Sequence, residues 1–272
     1  MSMPSQRGFS LVEIMVALAV GLFLTAGVVQ IFLGNKQSYR VAEGSARIQE
    51  NARFAMEFIA IDTRMAGYQG CAGATRTVVN TLVSPEFHED FDTPIEGFQA
   101  TSASAWSPSV DAGITSPLGG RDILTIRGAF GNGTPIIGQP TDASDCASSS
   151  SYTQNLKIAS GADLQSVGHA IASNCNRASI FELADTPEAS TTTIDTGGVD
   201  LGACYADNGE LLPLQTRTFY IRNNASGIPS LYRQLGNAGA QELVEGVEDL
   251  QVLYGLDNDG DGAANGFVTA NQ

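Results

Sequence analysis

The sequence is poor in the side chains with which proteins catalyse reactions or bind nucleic acids. It has two histidines in 272 residues, and its 14 lysines and arginines stand against 29 aspartates and glutamates, giving a net charge of -15 at pH 7. A negative field of this size repels phosphate backbones and argues against a nucleic-acid partner. The hydrophobic fraction of 43% is too high for wholesale disorder, so we expect a folded chain.

Catalytic motifs are also missing. The sequence has no G-x-S-x-G elbow, no P-loop and no dinucleotide-binding fingerprint. His88 and His169 are not at a metal-ligand spacing, and His88 lies in the acidic stretch 86–90, a pattern typical of a solvated loop. We therefore predict that the protein is not an enzyme.

Only one stretch of the sequence is apolar enough to cross a membrane. Residues 14–29 contain a single hydroxyl, at Thr25, and no charge; residues 9–33 add only Ser10, Glu13 and Gln30 as polar groups. About 20 apolar residues span a bilayer core, which predicts one transmembrane helix. A cleaved secretory signal is the alternative, but its apolar region is only ~7–15 residues long.

Glu13 is the unusual residue of this stretch. A carboxylate at the edge of the hydrocarbon costs about 2.5–3.5 kcal/mol unless it reaches the headgroups or a cation. Simple snorkelling to the headgroups would give Glu13 no specific role. Pairing with a cation would make it a functional residue.

The segment RGFSLVE at residues 7–13, followed directly by the apolar run, resembles the class III signal of type IV prepilins. In that family a membrane peptidase cleaves after the glycine, and the new N-terminal residue is methylated. The resemblance implies cleavage between Gly8 and Phe9, N-methylation of Phe9, and Glu13 as the acidic residue of the mature helix. It also implies that residues 1–8 are a cytoplasmic leader.

Cleavage would create an α-amino cation at Phe9, four residues before Glu13. An unpaired charge inside an apolar helix bundle is costly, so the amine of one subunit can pair with Glu13 of a neighbour. We hypothesise that this pair sets the axial register between subunits.

A second helical segment follows the apolar run. Residues 36–66 contain no proline and one glycine, and apolar residues recur at i, i+4, i+7 and i+11. This spacing places them on one face of a helix, which we predict to pack against a globular body. The residues of this face are Phe54, Phe58, Ile61 and Met65, and Ile48, Ala55 and Ile59 broaden it.

Beyond residue 66, short apolar runs alternate with Gly, Pro, Ser, Asn and Asp, which is typical of an antiparallel sheet. We predict an α+β fold: a long N-terminal α-helix, membrane-spanning in its first half, packed on an antiparallel β-sheet. The predicted parts are a leader (1–8), the membrane half of the helix (9–33), its amphipathic half (34–66) and a β-rich globular domain (67–272). Strand candidates include residues 122–127, 179–183, 218–222 and 250–256.

Four cysteines lie in the globular part: Cys71, Cys146, Cys175 and Cys204. Their spacings of 75, 29 and 29 residues lack the close pairs of a zinc site. Two disulfides, formed in an oxidising compartment, are therefore favoured. Four cysteines allow three connectivities, and the sequence leaves all three open.

An acidic stretch, DNDGDG, occupies residues 257–262. Asp257, Asp259 and Asp261 alternate and a glycine follows, which can place several oxygens around Ca²⁺ as at positions 1, 3, 5 and 6 of an EF-hand loop. Position 12 is Val268 and not a bidentate glutamate, and the preceding residues have a strand pattern. We expect a calcium site of modest affinity, the alternative being an ordinary polar turn.

Five further stretches stand out: residues 9–39 and 48–71, Asn174-Cys175 followed by SIFEL, TFYIRN followed by PSLYR, and LVEGVEDLQVLYGLDNDGDG. Together they resemble the PilW family of minor pilins. The resemblance implies a pilin fold and a structural role, in which low-abundance subunits prime pilus assembly and lie near the tip. Members of the family usually continue past the acidic loop, whereas this chain stops at Gln272, so we expect further strand to be missing from the sheet.

The resemblance also implies location and partners. Before assembly the chain would be a single-pass inner-membrane protein in contact with lipid, with its N-terminus cytoplasmic and its body periplasmic; afterwards it would be part of an extracellular pilus. Its partners would be other minor and major pilins, the prepilin peptidase, the inner-membrane assembly machinery and a tip adhesin, with cell adhesion and twitching motility as the associated activities. Two alternatives stay open, a pseudopilin of a type II secretion system and a calcium-dependent surface adhesin subunit.

Overall fold

The computed structural model describes residues 8–72, 77–139, 151–153, 155–165, 167–206 and 208–272. These residues form one long helix, α1, which spans Leu11–Arg64, and fourteen strands. The strands are β1 (Thr77–Asn80), β2 (Ile95–Ser102), β3 (Ala105–Ser107), β4 (Ile123–Ala129), β5 (Thr134–Gly138), β6 (Leu156–Ile158), β7 (His169–Asn174), β8 (Arg177–Glu182), β9 (Thr193–Ile194), β10 (Glu210–Asn223), β11 (Pro229–Leu235), β12 (Gln241–Glu245), β13 (Tyr254–Leu256) and β14 (Gly266–Val268).

The chain separates into two compact units, Met1–Ala52 and Arg53–Gln272. Helix α1 begins in the first unit, where the Ser10 hydroxyl accepts the backbone N–H of Glu13 at 3.2 Å and so caps the first turn. The helix ends in the second unit, the body, with a turn that closes at Gly67. That glycine has a φ of +66° and donates its N–H to the Arg127 carbonyl at 2.9 Å, as expected for a residue that stops a helix.

Strand β10 organises the body. It is 14 residues long and pairs antiparallel with β7 and β5 through its first residues, and with β4 and β11 further along. The longest path through the sheet runs β1-β8-β7-β10-β4-β2-β3, and β11–β12 and β5–β6–β9 extend it. Strands β13 and β14 form a separate hairpin. The α+β prediction is confirmed, with a pilin-like helix and sheet.

The sheet is mixed and not purely antiparallel as the sequence predicted, because β1 and β8 pair parallel. The reason lies just before the two strands, where Cys71 and Cys175 are joined in a disulfide. Residue Thr77 pairs with Arg177, so both strands leave the disulfide in the same direction. A long connection between them makes the parallel pairing sterically accessible.

The strand predictions are confirmed at three of their four positions, in β4, β8 and β10. The prediction for residues 250–256 is wrong over its first half. Only Tyr254–Leu256 is strand, because the backbone N–H of Val252 bonds to the buried Asp122 carboxylate at 3.0 Å and so leaves the sheet pattern.

The predicted contact face of the helix needs correction. Phe54, Phe58 and Ile61 are 45%, 37% and 50% exposed, and of the four predicted residues only Met65 packs into the core beneath the helix. Ala55 and Ile59, which broaden the predicted stripe, pack together with Ala66. They follow Phe54, Phe58 and Met65 by one residue, which turns the face by about 100° around the helix axis. With Met65 they contact a cluster that includes Leu124, Ile126, Phe219 and Leu231.

A buried ion pair lies on this corrected face. The Asp62 carboxylate, 3% exposed, contacts Arg217 Nη1 at 2.5 Å, and its second oxygen is 3.7 Å from Arg233 Nη1. The Arg217 guanidinium also lies 3.8 Å from the centre of the Phe130 ring, where a cation is attracted to the π-face. The helix end is therefore held on β10 and β11 by charge as well as by apolar packing.

The predicted disulfide chemistry is confirmed for one pair. Cys71 and Cys175 are bonded, with their Cα atoms 4.7 Å apart and a sequence separation of 104. Cys204 is also disulfide-bonded, whereas Cys146 lies outside the described residues. The bond links the segment after α1 to the turn before β8.

We expect Asp62→Ala to lower the free energy of unfolding by about 3–5 kcal/mol, because it leaves two partly buried guanidinium groups without their carboxylate. Urea unfolding of the full chain in detergent, followed by the fluorescence of Trp106, the only tryptophan, measures this change. Glu57→Ala is the control on the same helix, since Glu57 is exposed and should change stability by about 0.5 kcal/mol or less. Equal effects of the two substitutions would contradict the anchoring role.

The double substitution Cys71→Ala/Cys175→Ala should lower stability by about 4 kcal/mol, because the lost cross-link closes a loop of roughly 100 residues. The comparison uses the same unfolding assay without reductant, so that the disulfide at Cys204 stays intact. An unchanged urea midpoint would show that this bond does not stabilise the body.

Candidate functional site

Phe9 and Glu13 lie on the same side of the N-terminal helix. With Ile14, Ala17 and Leu18 they border a shallow concavity of about 360 Å³. Residues 8–10 precede the helix, so Phe9 is at its entrance and Glu13 is in its first turn. A cation at the Phe9 amine of one chain and the Glu13 carboxylate of another would meet on this face. Residues 1–7 of the predicted leader, including Arg7, lie outside the described residues.

Every large apolar side chain from Phe9 to Leu33 is exposed. The helix is long and apolar enough to cross a membrane by length and composition. Its one hydroxyl within residues 14–29, on Thr25, donates to the Gly21 carbonyl at 2.8 Å, so it needs no partner from outside. A surface of this kind is stable only in lipid or against other helices.

The acidic stretch forms the loop of the β13–β14 hairpin. Asp257 accepts the backbone N–H of Gly260 on Oδ1 at 2.6 Å and that of Gly262 on Oδ2 at 2.8 Å. These N–H donors, Gly262 first and Gly260 next, lower the pKa of Asp257. Gly260 and Gly262 have φ angles of +77° and +85°, which allows the loop to curl around the carboxylate.

Asp257, Asp259 and Asp261 offer ligand oxygens that lie within 4.8 Å of one another, and all three side chains are exposed. Oxygen donors alone suit a hard cation such as Ca²⁺, and one would relieve the repulsion between three carboxylates. Val268 lies in β14, paired with Tyr254, and supplies no side-chain oxygen. The arrangement fits a site with three carboxylate ligands and open positions for water.

The hairpin is attached to the body through Tyr254. Its ring lies against Gly97 of β2, where a Cβ atom would clash with the Tyr254 hydroxyl. Burial, followed by the charges of Asp122 and Glu96, raises the pKa of Tyr254 to about 12. The phenol therefore stays neutral, and the glycine provides the space for it.

The expectation that His88 is a solvated loop residue is wrong. Its side chain is 17% exposed and that of His169 is 13% exposed, and the Nε2 atoms of both rings lie 3.4 Å from the same oxygen of Glu89. The turn Phe87–Glu89 carries His88, and β7 begins at His169. Desolvation lowers the pKa of His169, against the opposing charges of Glu89 and Glu182.

Sequence reasoning missed both this cluster and the Asp62 ion pair. For Asp62 a signal existed, since residues 55, 59, 62 and 66 share one helical face and only Asp62 is polar among them. For the histidines no local signal existed. Residues 81 positions apart meet only because of how the strands pair.

Two protein-family profiles match parts of the chain. The profile described as Type IV Pilus-assembly protein W matches residues 218–272, from the middle of β10 through the acidic hairpin. The profile described as Prokaryotic N-terminal methylation motif matches residues 3–29. No curated protein and no solved structure matches the chain.

The methylation motif and the long apolar helix fit a pilin that is anchored in the inner membrane and later assembled into the pilus. With the second profile at the opposite end of the chain, they support a PilW-like type IV minor pilin.

Proposed function

We propose that this protein is a minor pilin that primes assembly of a type IV pilus and is incorporated near its tip. The observation that carries the proposal is the fully exposed apolar helix of residues 9–33, with Glu13 as its only charged side chain. Such a helix needs other subunits once it leaves the lipid. Pilin families are structural rather than enzymatic, and the proposed role is structural.

Cleavage between Gly8 and Phe9 is the first step of the proposed function. The new amine on Phe9 lies at the entrance of the helix, on the face that also carries Glu13. Pairing this amine with the Glu13 carboxylate of a neighbouring subunit neutralises both charges within apolar surroundings. Only one axial offset between two helices brings the two groups together, so the pair sets the axial register between neighbouring subunits.

Glu13→Gln should leave processing intact and reduce incorporation into pili at least tenfold, because the neutral amide cannot pair with the amine. Two measurements on the same cells separate the steps. The mass of the membrane-extracted chain, expected to begin at Phe9 with one added methyl, reports processing, and the chain in sheared pili reports incorporation.

Glu43→Gln is the matched control, since Glu43 is an exposed carboxylate on the same helix outside residues 9–33. Normal incorporation of Glu13→Gln would refute the register hypothesis. A wild-type chain that retains Met1 or is cut elsewhere would refute the prepilin assignment itself.

A type II secretion pseudopilin is the second candidate, because it shares the leader and the helix. The profile match over residues 218–272 favours the pilus. Deletion of the gene should therefore reduce the number of surface pili and leave secretion of exoproteins unchanged. The opposite pattern would assign the chain to secretion.

We also propose that the acidic hairpin binds Ca²⁺. The support is the donor set of Asp257, Asp259 and Asp261, held in a loop whose backbone already orients Asp257. Without a bidentate glutamate the dissociation constant should be about 10⁻⁴–10⁻³ M, the range of weak extracellular sites. At this affinity, extracellular Ca²⁺ would occupy the site. A calcium-dependent adhesin subunit would also require an occupied site.

Asp259→Asn should weaken Ca²⁺ binding at least tenfold, because it removes one of three charges from the loop. Calorimetric titration of the full chain in detergent measures this, with Asp185→Asn as the control in a different exposed acidic position. Equal affinities of wild type and Asp259→Asn would leave the hairpin as a polar turn.

A further inference from the structure

We propose that His88, Glu89 and His169 form a binding site for a divalent transition-metal ion, for which Zn²⁺ is the probe. The site is in the body, separate from the acidic hairpin, and it uses both histidines of the chain. Its ligands would be two imidazole nitrogens and one carboxylate oxygen, a set that Zn²⁺ binds readily and Ca²⁺ does not.

The two nitrogen–oxygen distances around Glu89 match the spacing of zinc ligands, whereas the two imidazoles lie further apart. Glu89 Oε1 is 3.4 Å from His88 Nε2 and 3.4 Å from His169 Nε2. Two ligands at about 2.0–2.1 Å from a tetrahedral zinc ion are roughly 3.3–3.4 Å apart. Both contacts are also longer than an ordinary N–H···O hydrogen bond, so Glu89 does not hold either imidazole by a short hydrogen bond.

The turn that carries His88 and Glu89 is held firmly. Glu89 Oε2 accepts the backbone N–H of Glu86 at 3.0 Å, which leaves Oε1 to face the imidazoles. The backbone carbonyl of His88 accepts the Thr216 hydroxyl at 2.6 Å, and that of Phe87 accepts the fully buried Arg127 guanidinium at 2.8 Å. These bonds fix the backbone of the turn and the Glu89 carboxylate before a metal arrives, which favours binding.

The surroundings also suit metal-bound imidazoles. Glu86 Oε2 lies 3.6 Å from His88 Nδ1, where it can hold the proton on that nitrogen. The Nε2 lone pair then faces the Asn237 amide nitrogen at 3.4 Å, a long contact that a metal ion would replace. The His169 ring packs 5.5 Å from the Phe91 ring, and His169 pairs with Glu182 across β7 and β8. The carboxylate of Glu86 beside His88 and that of Glu182 beside His169 thus attract a cation.

Access is through a cavity of about 370 Å³ that both imidazoles line. Among the described residues, only the hairpin triad has three ligand atoms all within 4.8 Å of one another. Binding at His88, Glu89 and His169 therefore draws the two rings inward around Glu89 Oε1. The cavity leaves room for these side-chain rotations and for a water molecule as a fourth ligand.

The test is a titration of the full chain, in detergent and without a polyhistidine tag, after removal of metals with a chelator. Zn²⁺ is added in the calorimeter, and Co²⁺ in a parallel titration reports nitrogen ligation and geometry by its visible absorption. We expect one Zn²⁺ per chain, and affinities at least tenfold weaker for His88→Gln, His169→Gln and Glu89→Gln.

Asp257→Asn is the control, since it alters the acidic hairpin and should leave the Zn²⁺ affinity unchanged. The fluorescence of Trp106 before titration shows which variants are folded. If a variant does not fold, heteronuclear NMR of the wild-type imidazoles replaces it, and Zn²⁺ must then shift the resonances of both rings. Equal affinities in the wild type and His88→Gln/His169→Gln, or unshifted imidazole resonances, would overturn the proposal.

Discussion

A buried carboxylate, Asp62, holds the last turns of the helix on the sheet, and the body is arranged around that contact. Its two arginine partners are diagonal neighbours on β10 and β11, where Phe219 is paired with Arg233 and Arg217 with Leu235. Two cations so close would repel each other without the carboxylate between them. The same strand, β10, also pairs with β7, which begins at His169. The helix anchor and the histidine cluster thus depend on the register of one strand.

The two units meet different physical demands. The described part of the first has no buried apolar residue and displays its whole hydrophobic surface, so its stability comes from its surroundings. The body closes its own core, with side chains such as Phe181, Tyr205 and Phe219 fully buried. This division suits a subunit that exchanges lipid for protein neighbours at one end while its other end stays unchanged.

The sequence alone was sufficient to predict the long helix, its apolar first half and the strands β4, β8 and β10, because each depends on local periodicity or composition. It predicted the wrong face of the helix because Phe54, Phe58, Ile61 and Met65 form the more regular apolar stripe at helical spacing. Hydrophobicity did not decide the contact. It depends on the small side chain of Ala55, which permits close approach, and on the Asp62 carboxylate with its two arginine partners. The parallel pairing of β1 with β8 and the meeting of His88 with His169 follow from long-range pairing, which local patterns do not encode.

The prepilin motif and the acidic triad were both visible as short motifs, and their local geometry follows from a few backbone bonds. What the triad lacks, a glutamate at the position of Val268, was also visible, and the structure gives the reason. That position belongs to a strand, and its backbone is engaged with Tyr254. A second helix, which would carry such a glutamate in an EF-hand, has no place in a hairpin.

The disulfide between Cys71 and Cys175 has a mechanical consequence. A subunit in a fibre under tension is pulled through its N-terminal helix, and the load reaches the body at the residues just after α1. The covalent bond passes that load directly to the turn before β8, bypassing the intervening chain. The two cysteines are separated by 104 residues in the sequence, so the bond prevents about 350 Å of chain from extending, at ~3.4 Å per residue. Pulling on the intact body can therefore lengthen only the segments before Cys71 and after Cys175.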